Sequence, residues 1–164
     1  MSVLEHPFSP VFNSNSKILI LGSFPSIKSR ADGFFYGNPK NRFWKIISKI
    51  TNNPLPANIP EKKTLLLSNH IALWDVIKSC DIESSKDNSI RNVIPNDLTD
   101  VLNNSNIGII FANGNAAYNL YVKYYKVLHN MNIIKLPSTS PANASFNFEK
   151  LFEIWNKSLK CYLN

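Results

Sequence analysis

The sequence has only two cysteines, Cys80 and Cys161, among its 164 residues. Two cysteines are too few for a disulfide framework or for a four-cysteine zinc or iron–sulfur site. No apolar run approaches the roughly 18 residues that a membrane-spanning helix needs. The first residues, MSVLEHPFSPVFNSNSK, lack the basic region and the apolar stretch of a signal peptide. We therefore expect an intracellular, reduced protein with no membrane partner, in the cytoplasm or nucleoid, or in the nucleus or an organelle of a eukaryote.

Residues with the spacing of metal ligands or of an activated nucleophile are also lacking. His6, His70 and His129 are far apart and share no ligand-like spacing with the cysteines. No histidine is placed by the sequence to activate Cys80. Asp32 is the only carboxylate in the first loop, which gives little support to the paired carboxylates of sugar hydrolases. We therefore predict no metal site and a structural role for both cysteines.

Acidic residues are few, with 11 Asp and Glu against 18 Lys and Arg, so the formal net charge is +7. Such an excess points to a polyanionic partner, of which nucleic acid is the main example. A lysine-rich surface that serves only solubility explains the same charge. No block of five or more like charges decides between the two, and both interpretations stay open.

Short buried-strand patterns alternate with helical patterns along the chain. Strands are predicted in the segments 17–21, 71–77, 107–115 and 132–143, and helices in the segments 41–50, 61–68, 97–103, 116–128 and 146–163. Segment 79–97 is predicted to be a polar, irregular connection. The alternation predicts an α/β fold, a three-layer α/β/α sandwich around a short, mainly parallel four-stranded sheet. No linker divides residues 1–164 into two domains.

Unusual residues gather where such a fold binds ligands. Open α/β sheets bind ligands at the carboxyl ends of their strands. Those ends carry GSFPS (22–26), the segment after ALWDV, ANGN (112–115) and LPSTSPAN (136–143). We therefore expect the functional site at this edge of the sheet.

The first of these loops offers groups that suit an anion. In the loop that contains Pro25, backbone N–H groups and hydroxyls of Gly22, Ser23, Ser26 and Ser29 could contact an anionic ligand. The spacing matches neither a dinucleotide-binding motif nor a P-loop. An ordinary strand-to-helix turn explains the same residues.

A second loop, GFFYGNPKNRFW (33–44), is crowded with aromatic side chains. Phe34, Phe35 and Tyr36 are adjacent, and adjacent loop residues cannot all face inward. We expect two of the three to pack in the core and at least one to be free to stack on a flat ligand such as a nucleobase.

Two polar residues near the same edge have alternative interpretations. Asn38 precedes Pro39, which favours an extended backbone, and its amide could hold a water, read a base edge or cap a turn. Asp75 ends an apolar strand, where a carboxylate needs a partner. That partner is either a neighbouring hydroxyl or backbone amide, or an N–H group of a bound base.

The segments GSFPS, GFFYGNPKNRFW, IALWDVIKSC and LPSTSPAN together resemble the uracil-DNA glycosylase superfamily. Among its branches, the hypoxanthine-DNA (deoxyinosine) glycosylases are the most similar. The resemblance extends from about Lys17 to Trp155, and its specific segments are NPKNRFW and LPSTSPAN. It implies that residues 1–164 form a single DNA glycosylase domain that needs no cofactor.

The resemblance also implies where the chemistry takes place. Mismatch-specific uracil glycosylases carry a Gly-x-Asn-Pro-Gly motif whose Asn positions the hydrolytic water, and here Phe24 replaces that Asn. The hypoxanthine branch likewise lacks this amide and uses an Asn in the next segment, which is Asn38 in this sequence. Either Asn38 performs the catalytic role, or the replacement at Phe24 marks an inactive site.

Further roles follow from the same resemblance. Tyr36, or alternatively Phe24, would stack on the flipped base; Asp75 would help to read it, and Ser23 and Ser29 would support its departure. Arg42 would contact phosphate. The second motif would enter the minor groove, through Ser138, Thr139, Ser140, Pro141 and Asn143.

We therefore predict a monofunctional DNA glycosylase of base excision repair, which flips out a deaminated base and removes it by hydrolysis. Hypoxanthine is the expected base, with uracil and xanthine as further options. The expected partner is double-stranded DNA, with single-stranded DNA as a second option, and the expected state is a monomer. The alternatives are a uracil- or mismatch-specific glycosylase, a non-catalytic nucleic-acid-binding domain of the same fold, and a small-molecule nucleotide hydrolase.

Overall fold

The computed structural model describes residues 2–82 and 90–163. Its strands are β1 (Ser2–Glu5), β2 (Ile18–Gly22), β3 (Ile71–Asp75), β4 (Ile77–Ile82), β5 (Ile90–Pro95), β6 (Ile109–Asn113) and β7 (Asn132–Leu136). Its helices are α1 (Ile27–Asp32), α2 (Phe43–Ile50), α3 (Ile59–Ser68), α4 (Thr99–Asn103), α5 (Asn115–Tyr124) and α6 (Phe148–Leu163).

A parallel four-stranded sheet is the centre of the fold. Its strand order is β3-β2-β6-β7, and every neighbouring pair is parallel. In this register Gly22 lies opposite Asp75, at the carboxyl ends of β2 and β3. The predicted four-stranded parallel sheet is therefore confirmed.

Alternate side chains of β2 are buried on opposite faces of this sheet. Ile18 and Ile20 pack into one core with residues of α2, α3 and α6, and Leu19 and Leu21 pack into the other with residues of α4 and α5. A central parallel strand that is covered on both faces is apolar at every position. This explains the continuous run ILIL and confirms the predicted three layers.

A second, antiparallel sheet contradicts part of the sequence prediction. Its order is β1-β4-β5, with β4 in the centre. Segment 79–97 was predicted to be irregular, which is wrong for residues 79–82 and 90–95, whereas residues 83–89 lie outside the described part. The segment 71–77 is likewise two strands, since β3 ends at Asp75 and Ile77 begins β4. The reason is that β5 is largely exposed and β1 is far away in the sequence, so no local apolar pattern signals the pairing.

Two helix starts also differ from the prediction. Helix α1 was predicted as loop, but the Ser26 side chain accepts a hydrogen bond from the Ser29 N–H and caps it. Helix α2 begins at Phe43, and the Asn41 side chain accepts from the Phe43 N–H at 2.9 Å just before the helix. Within residues 2–82 and 90–163, no helix is long and apolar enough to cross a membrane.

Candidate active site

The carboxyl ends of the parallel strands open into a cleft of about 660 Å³. A cavity of this size is typical of small-molecule and base-binding pockets. The structure brings to this cleft the two loops predicted from the sequence, the end of β3 and the start of α5. Of the predicted site residues, the cleft is lined by Ser23, Phe24, Ser29, Tyr36, Asn38, Asp75, Ser138, Thr139, Ser140 and Pro141.

Asp75 is buried at the inner end of this cleft and is paired with a histidine. Its Oδ2 lies 2.7 Å from His6 Nε2, and the two side chains are only 5% and 3% exposed. The Phe8 N–H approaches His6 Nδ1 at 3.4 Å, which indicates that Nε2 carries the proton and donates to the carboxylate. The partner that Asp75 requires is therefore an imidazole, and not the hydroxyl or backbone amide considered from the sequence.

The main chain at Asp75 is held as firmly as its side chain. The Asn96 amide donates to the Asp75 carbonyl at 2.9 Å, and the Tyr125 hydroxyl donates to the Asn96 carbonyl at 2.6 Å. Burial raises the pKa of Tyr125, so its hydroxyl stays protonated and remains a donor. The carboxylate is thus fixed before any ligand arrives, as electrostatic preorganisation requires.

Gly22 makes room for the Asp75 carboxylate. A Cβ atom at Gly22 would collide with Asp75 Oδ1 and would lie 3.0 Å from the Tyr36 hydroxyl oxygen. The first residue of the GSFPS loop is therefore small because the carboxylate and the phenol both pack against its Cα.

Replacing Gly22 with alanine is expected to lower the free energy of unfolding by about 1–3 kcal/mol, because overpacking a rigid site displaces its neighbours. Displacement of Asp75 should also reduce the activity of the site. Thermal unfolding monitored by circular dichroism measures the stability. Gly108→Ala is the matched control, because a Cβ there meets no atom within 4 Å. Equal stability of the two variants would contradict this account of Gly22.

Tyr36 lies between the core and the cleft. Its ring stacks on Phe43 with centroids 4.2 Å apart, and its backbone has a positive φ of 53°. Phe34 and Phe35 are buried, so two of the three adjacent aromatics pack in the core as predicted. Phe43 covers one face of the Tyr36 ring, which leaves the opposite face as the one that a base could stack on.

The Tyr36 hydroxyl is buried without a hydrogen-bond partner in the described part of the chain. Burial, and then the charge of Asp75, raise the pKa of this phenol, against a smaller opposite effect of the Asn113 amide. The group therefore stays a neutral donor beside the Asp75 carboxylate.

Asn38 forms a turn and faces the cleft at once. Its Oδ1 accepts a hydrogen bond from the Lys40 N–H at 2.9 Å, and its carbonyl accepts from the Asn41 N–H at 2.9 Å. The turn-capping interpretation is therefore correct, but it uses only one lone pair of Oδ1. Asn38 thus lines the cleft while its side chain is held in this turn.

Phe24 and the predicted serines have different surroundings. The Phe24 ring lies edge-on to His6 at 6.0 Å, with the Arg30 guanidinium 5.6 Å from its centroid. Ser29 is buried, and its hydroxyl accepts from the Gly37 N–H at 2.9 Å, so it ties α1 to the aromatic loop. Ser23 is half-buried at the cleft.

The Ser/Pro-rich segment 138–147, which we call the motif-2 loop, is anchored at its start. Asn113 and Thr139 form a reciprocal pair, in which the Thr139 N–H donates to Asn113 Oδ1 and Asn113 Nδ2 donates to Thr139 Oγ1, both at 3.0 Å. Thr139 is fully buried, and the Asn143 amide donates to the Ser138 carbonyl at 3.0 Å. Pro141 is exposed at the tip of the loop.

Comparison with known proteins identifies the family. The family model of the uracil DNA glycosylase superfamily matches residues 9–160. The chain belongs to this superfamily. This membership confirms the predicted fold. Members of this superfamily hydrolyse N-glycosidic bonds in DNA, so the predicted enzyme class is confirmed as well.

Similar proteins come from two Methanosarcina species. A hypoxanthine DNA glycosylase of Methanosarcina acetivorans is 34% identical over 149 residues, which cover 88% of this chain and 92% of the relative. One of Methanosarcina barkeri is 38% identical over 85 residues, covering 51% and 54% of the two chains. A solution NMR structure of a candidate uracil DNA glycosylase from M. acetivorans superposes with a TM-score of 0.84 at 29% identity, covering 99% of this chain and all of that one.

Sequence reasoning missed two residues of this candidate site. His6 lies 69 positions before Asp75, and an isolated histidine near the N-terminus carries no local signal. Asn113 stands in the segment ANGN, at a strand end that was expected to face the site, and this position was its only signal. Within residues 2–82 and 90–163, no three His, Cys, Asp or Glu side chains group as metal ligands would.

Proposed function

We propose that this protein removes hypoxanthine from DNA by hydrolysing the N-glycosidic bond of deoxyinosine, and that the whole chain is one glycosylase domain. One observation carries the proposal. Asn38 and the anchored Asp75 lie on the same cleft, in a chain that is 34% identical to a hypoxanthine DNA glycosylase. Because the substrate is genomic DNA, we place the enzyme inside the cell, and we propose that it acts as a monomer.

Asp75 supports this choice of base. Hypoxanthine presents a ring N–H beside a carbonyl, whereas adenine presents a bare ring nitrogen at the same position. A carboxylate accepts a hydrogen bond from that N–H but repels the lone pair of adenine. Discrimination of this kind is strong when the site leaves no water to pair with the wrong base. Uracil and xanthine share the N–H beside a carbonyl, so the same group would also accept them.

Asn38 would hold the attacking water. The free lone pair of Oδ1 accepts a hydrogen bond from the water, whose oxygen bonds to C1′ of the sugar while the C1′–N9 bond breaks. The electron pair of that bond goes to the base, which takes up the proton that the water releases. An amide is too weak a base to remove this proton, so Asn38 contributes by positioning and by electrostatic stabilisation.

The remaining predicted residues would serve to flip out the base. Flipping costs a few kcal/mol and is easiest at mispaired or damaged bases. The open face of Tyr36, or alternatively Phe24, stacks on the base, while Ser23 supports it at the cleft. Pro141, at the exposed tip of the motif-2 loop, would enter the minor groove of double-stranded DNA. The net charge of +7 should make binding weaker as salt increases.

Base release from labelled duplexes tests the proposed function. We expect alkali-sensitive breakage of a duplex with one deoxyinosine, in a buffer with EDTA, and none of the matched duplex with deoxyadenosine. Breakage of a deoxyuridine duplex alone would overturn the proposed base. Salt-sensitive binding without breakage of either would mean that the chain is a binding domain with an inactive site.

A further inference from the structure

Arg42 is unusual because, among residues 2–82 and 90–163, its guanidinium donates only to main-chain carbonyls. Nε donates to the Thr139 carbonyl at 3.4 Å, Nη2 donates to the carbonyls of Ser140 at 2.8 Å and Asn143 at 3.2 Å, and Nη1 donates to that of Phe146. Its backbone N–H also donates to the Thr139 carbonyl, at 3.1 Å. All these acceptors belong to the motif-2 loop.

We propose that Arg42 is a positioning residue that sets the shape of the motif-2 loop for insertion into DNA, and that it acts without contacting a phosphate. This proposal rests on the proposed function, and it replaces the phosphate contact expected from the sequence. A guanidinium has five N–H donors in a fixed planar fork. Four hydrogen bonds of the guanidinium go to the loop, so one N–H donor remains for a phosphate.

The hydrogen bonds from Arg42 to these carbonyls, which we call the clamp, extend over most of the motif-2 loop. Its acceptors begin at Thr139, next to the anchor at Asn113, and end at Phe146, two residues before α6. Between them the exposed Pro141 has no such contact. The loop is therefore held on both sides of its tip, by the contacts to Ser140 and Asn143, while Pro141 stays exposed between them, which is the arrangement that a DNA-inserting wedge needs. A loop that is ordered in advance spares the entropy of ordering it during base flipping.

The clamp also affects the charge of the loop. No ion pair of Arg42 with a carboxylate occurs in the described part of the chain. The carbonyl oxygens, which would repel phosphates, are occupied by the guanidinium, and its positive charge stays beneath the loop. Arg42 would therefore reduce the repulsion between the loop carbonyls and the DNA phosphates without itself contacting the DNA.

Arg42→Lys separates the clamp from a phosphate contact. A lysine keeps the charge and can bind a phosphate, but its ammonium is a point donor that cannot reach carbonyls spread over eight residues. We expect the single-turnover rate on a deoxyinosine duplex to fall by about 30-fold or more, with an unchanged salt dependence of DNA binding because the charge is retained. Arg91→Lys, a change in an exposed arginine of β5 outside the cleft, is the matched control and should stay within about twofold of the wild type.

Hydrogen exchange followed by mass spectrometry gives a readout that does not depend on activity. In Arg42→Lys and in Arg42→Met, which keeps the aliphatic stem, amides of residues 138–147 should exchange faster while those of β2 and β6 stay protected. The proposal would be overturned if Arg42→Lys kept the wild-type rate and the wild-type protection of the loop amides. It would also be overturned if both variants lost amide protection throughout the sheet. If the wild type releases no base but the loop loses protection in these variants, the clamp stands and only the proposed function fails.

Discussion

Replacing Asn38 with alanine is expected to lower the single-turnover rate of base release from a deoxyinosine duplex by about 10²–10³-fold. Losses of this size follow the removal of one preorganised polar group from a transition-state site. Binding to an undamaged duplex should change little, because Asn38 would act on the water and not on the DNA backbone. Quenched-flow measurement of base release, with a gel-shift titration beside it, separates the two effects.

A second variant is needed to separate the role of Asn38 in the turn from its proposed role in holding the water. Since Oδ1 also accepts from the Lys40 N–H, alanine removes a turn contact together with the proposed water ligand. Asn38→Ser keeps an acceptor for the turn, as serine hydroxyls do, but is too short to hold the water in the same place. Both variants should show the same loss of about 10²–10³-fold in the rate. A wild-type rate in Asn38→Ser would show that Asn38 only shapes the loop. Asn103→Ala, which removes an exposed amide at the end of α4, is the control for the loss of an amide elsewhere.

Replacing His6 with alanine is expected to lower the free energy of unfolding by about 3–5 kcal/mol. The reason is that the buried Asp75 carboxylate would lose the N–H donor of His6 Nε2, and a buried charged acceptor that is left without a donor is costly. Chemical denaturation followed by circular dichroism measures the loss. His129→Ala changes a partly exposed histidine of the loop after α5 and should cost less than about 1 kcal/mol.

A double-variant cycle tests whether the unpaired charge is the cause. Asp75→Asn removes the charge, and its amide can still hydrogen-bond to His6, so this variant alone should be destabilised less than His6→Ala. The double variant should then be more stable than His6→Ala, because it has no buried carboxylate. If His6→Ala and the double variant unfold at the same denaturant concentration, the loss comes from the cavity left by the ring and not from Asp75.

Asn38 and Asp75 show what could and what could not be predicted from the sequence. Asn38 was found because its neighbours carry a motif, and its two alternative roles, turn cap and cleft amide, turned out to be compatible in space. Asp75 was noticed because a carboxylate at the end of an apolar strand needs a partner. The identity of that partner depended on the pairing of β1 with β4 and on the contact between Val11 and Leu73 of β3, which no local pattern contains.

The sequence by itself determined the parallel sheet, its flanking helices and the edge at which the cleft lies. Each of these follows from local periodicity, since a buried central strand is apolar throughout and a helix has one apolar face. The position of the loops then follows from the topology, because parallel strands end at the same edge. These features can be predicted without knowing which distant segments of the chain are in contact.

Only the tertiary structure decided the antiparallel sheet and the pairs His6–Asp75, Asn113–Thr139 and Arg42 with the motif-2 loop. The members of these three side-chain contacts are 26 to 104 residues apart in the sequence. Such contacts form between single polar groups, and a single polar group leaves no periodic trace along the chain. They arise because burial obliges each donor and acceptor to find a partner, and the fold decides which partner is within reach.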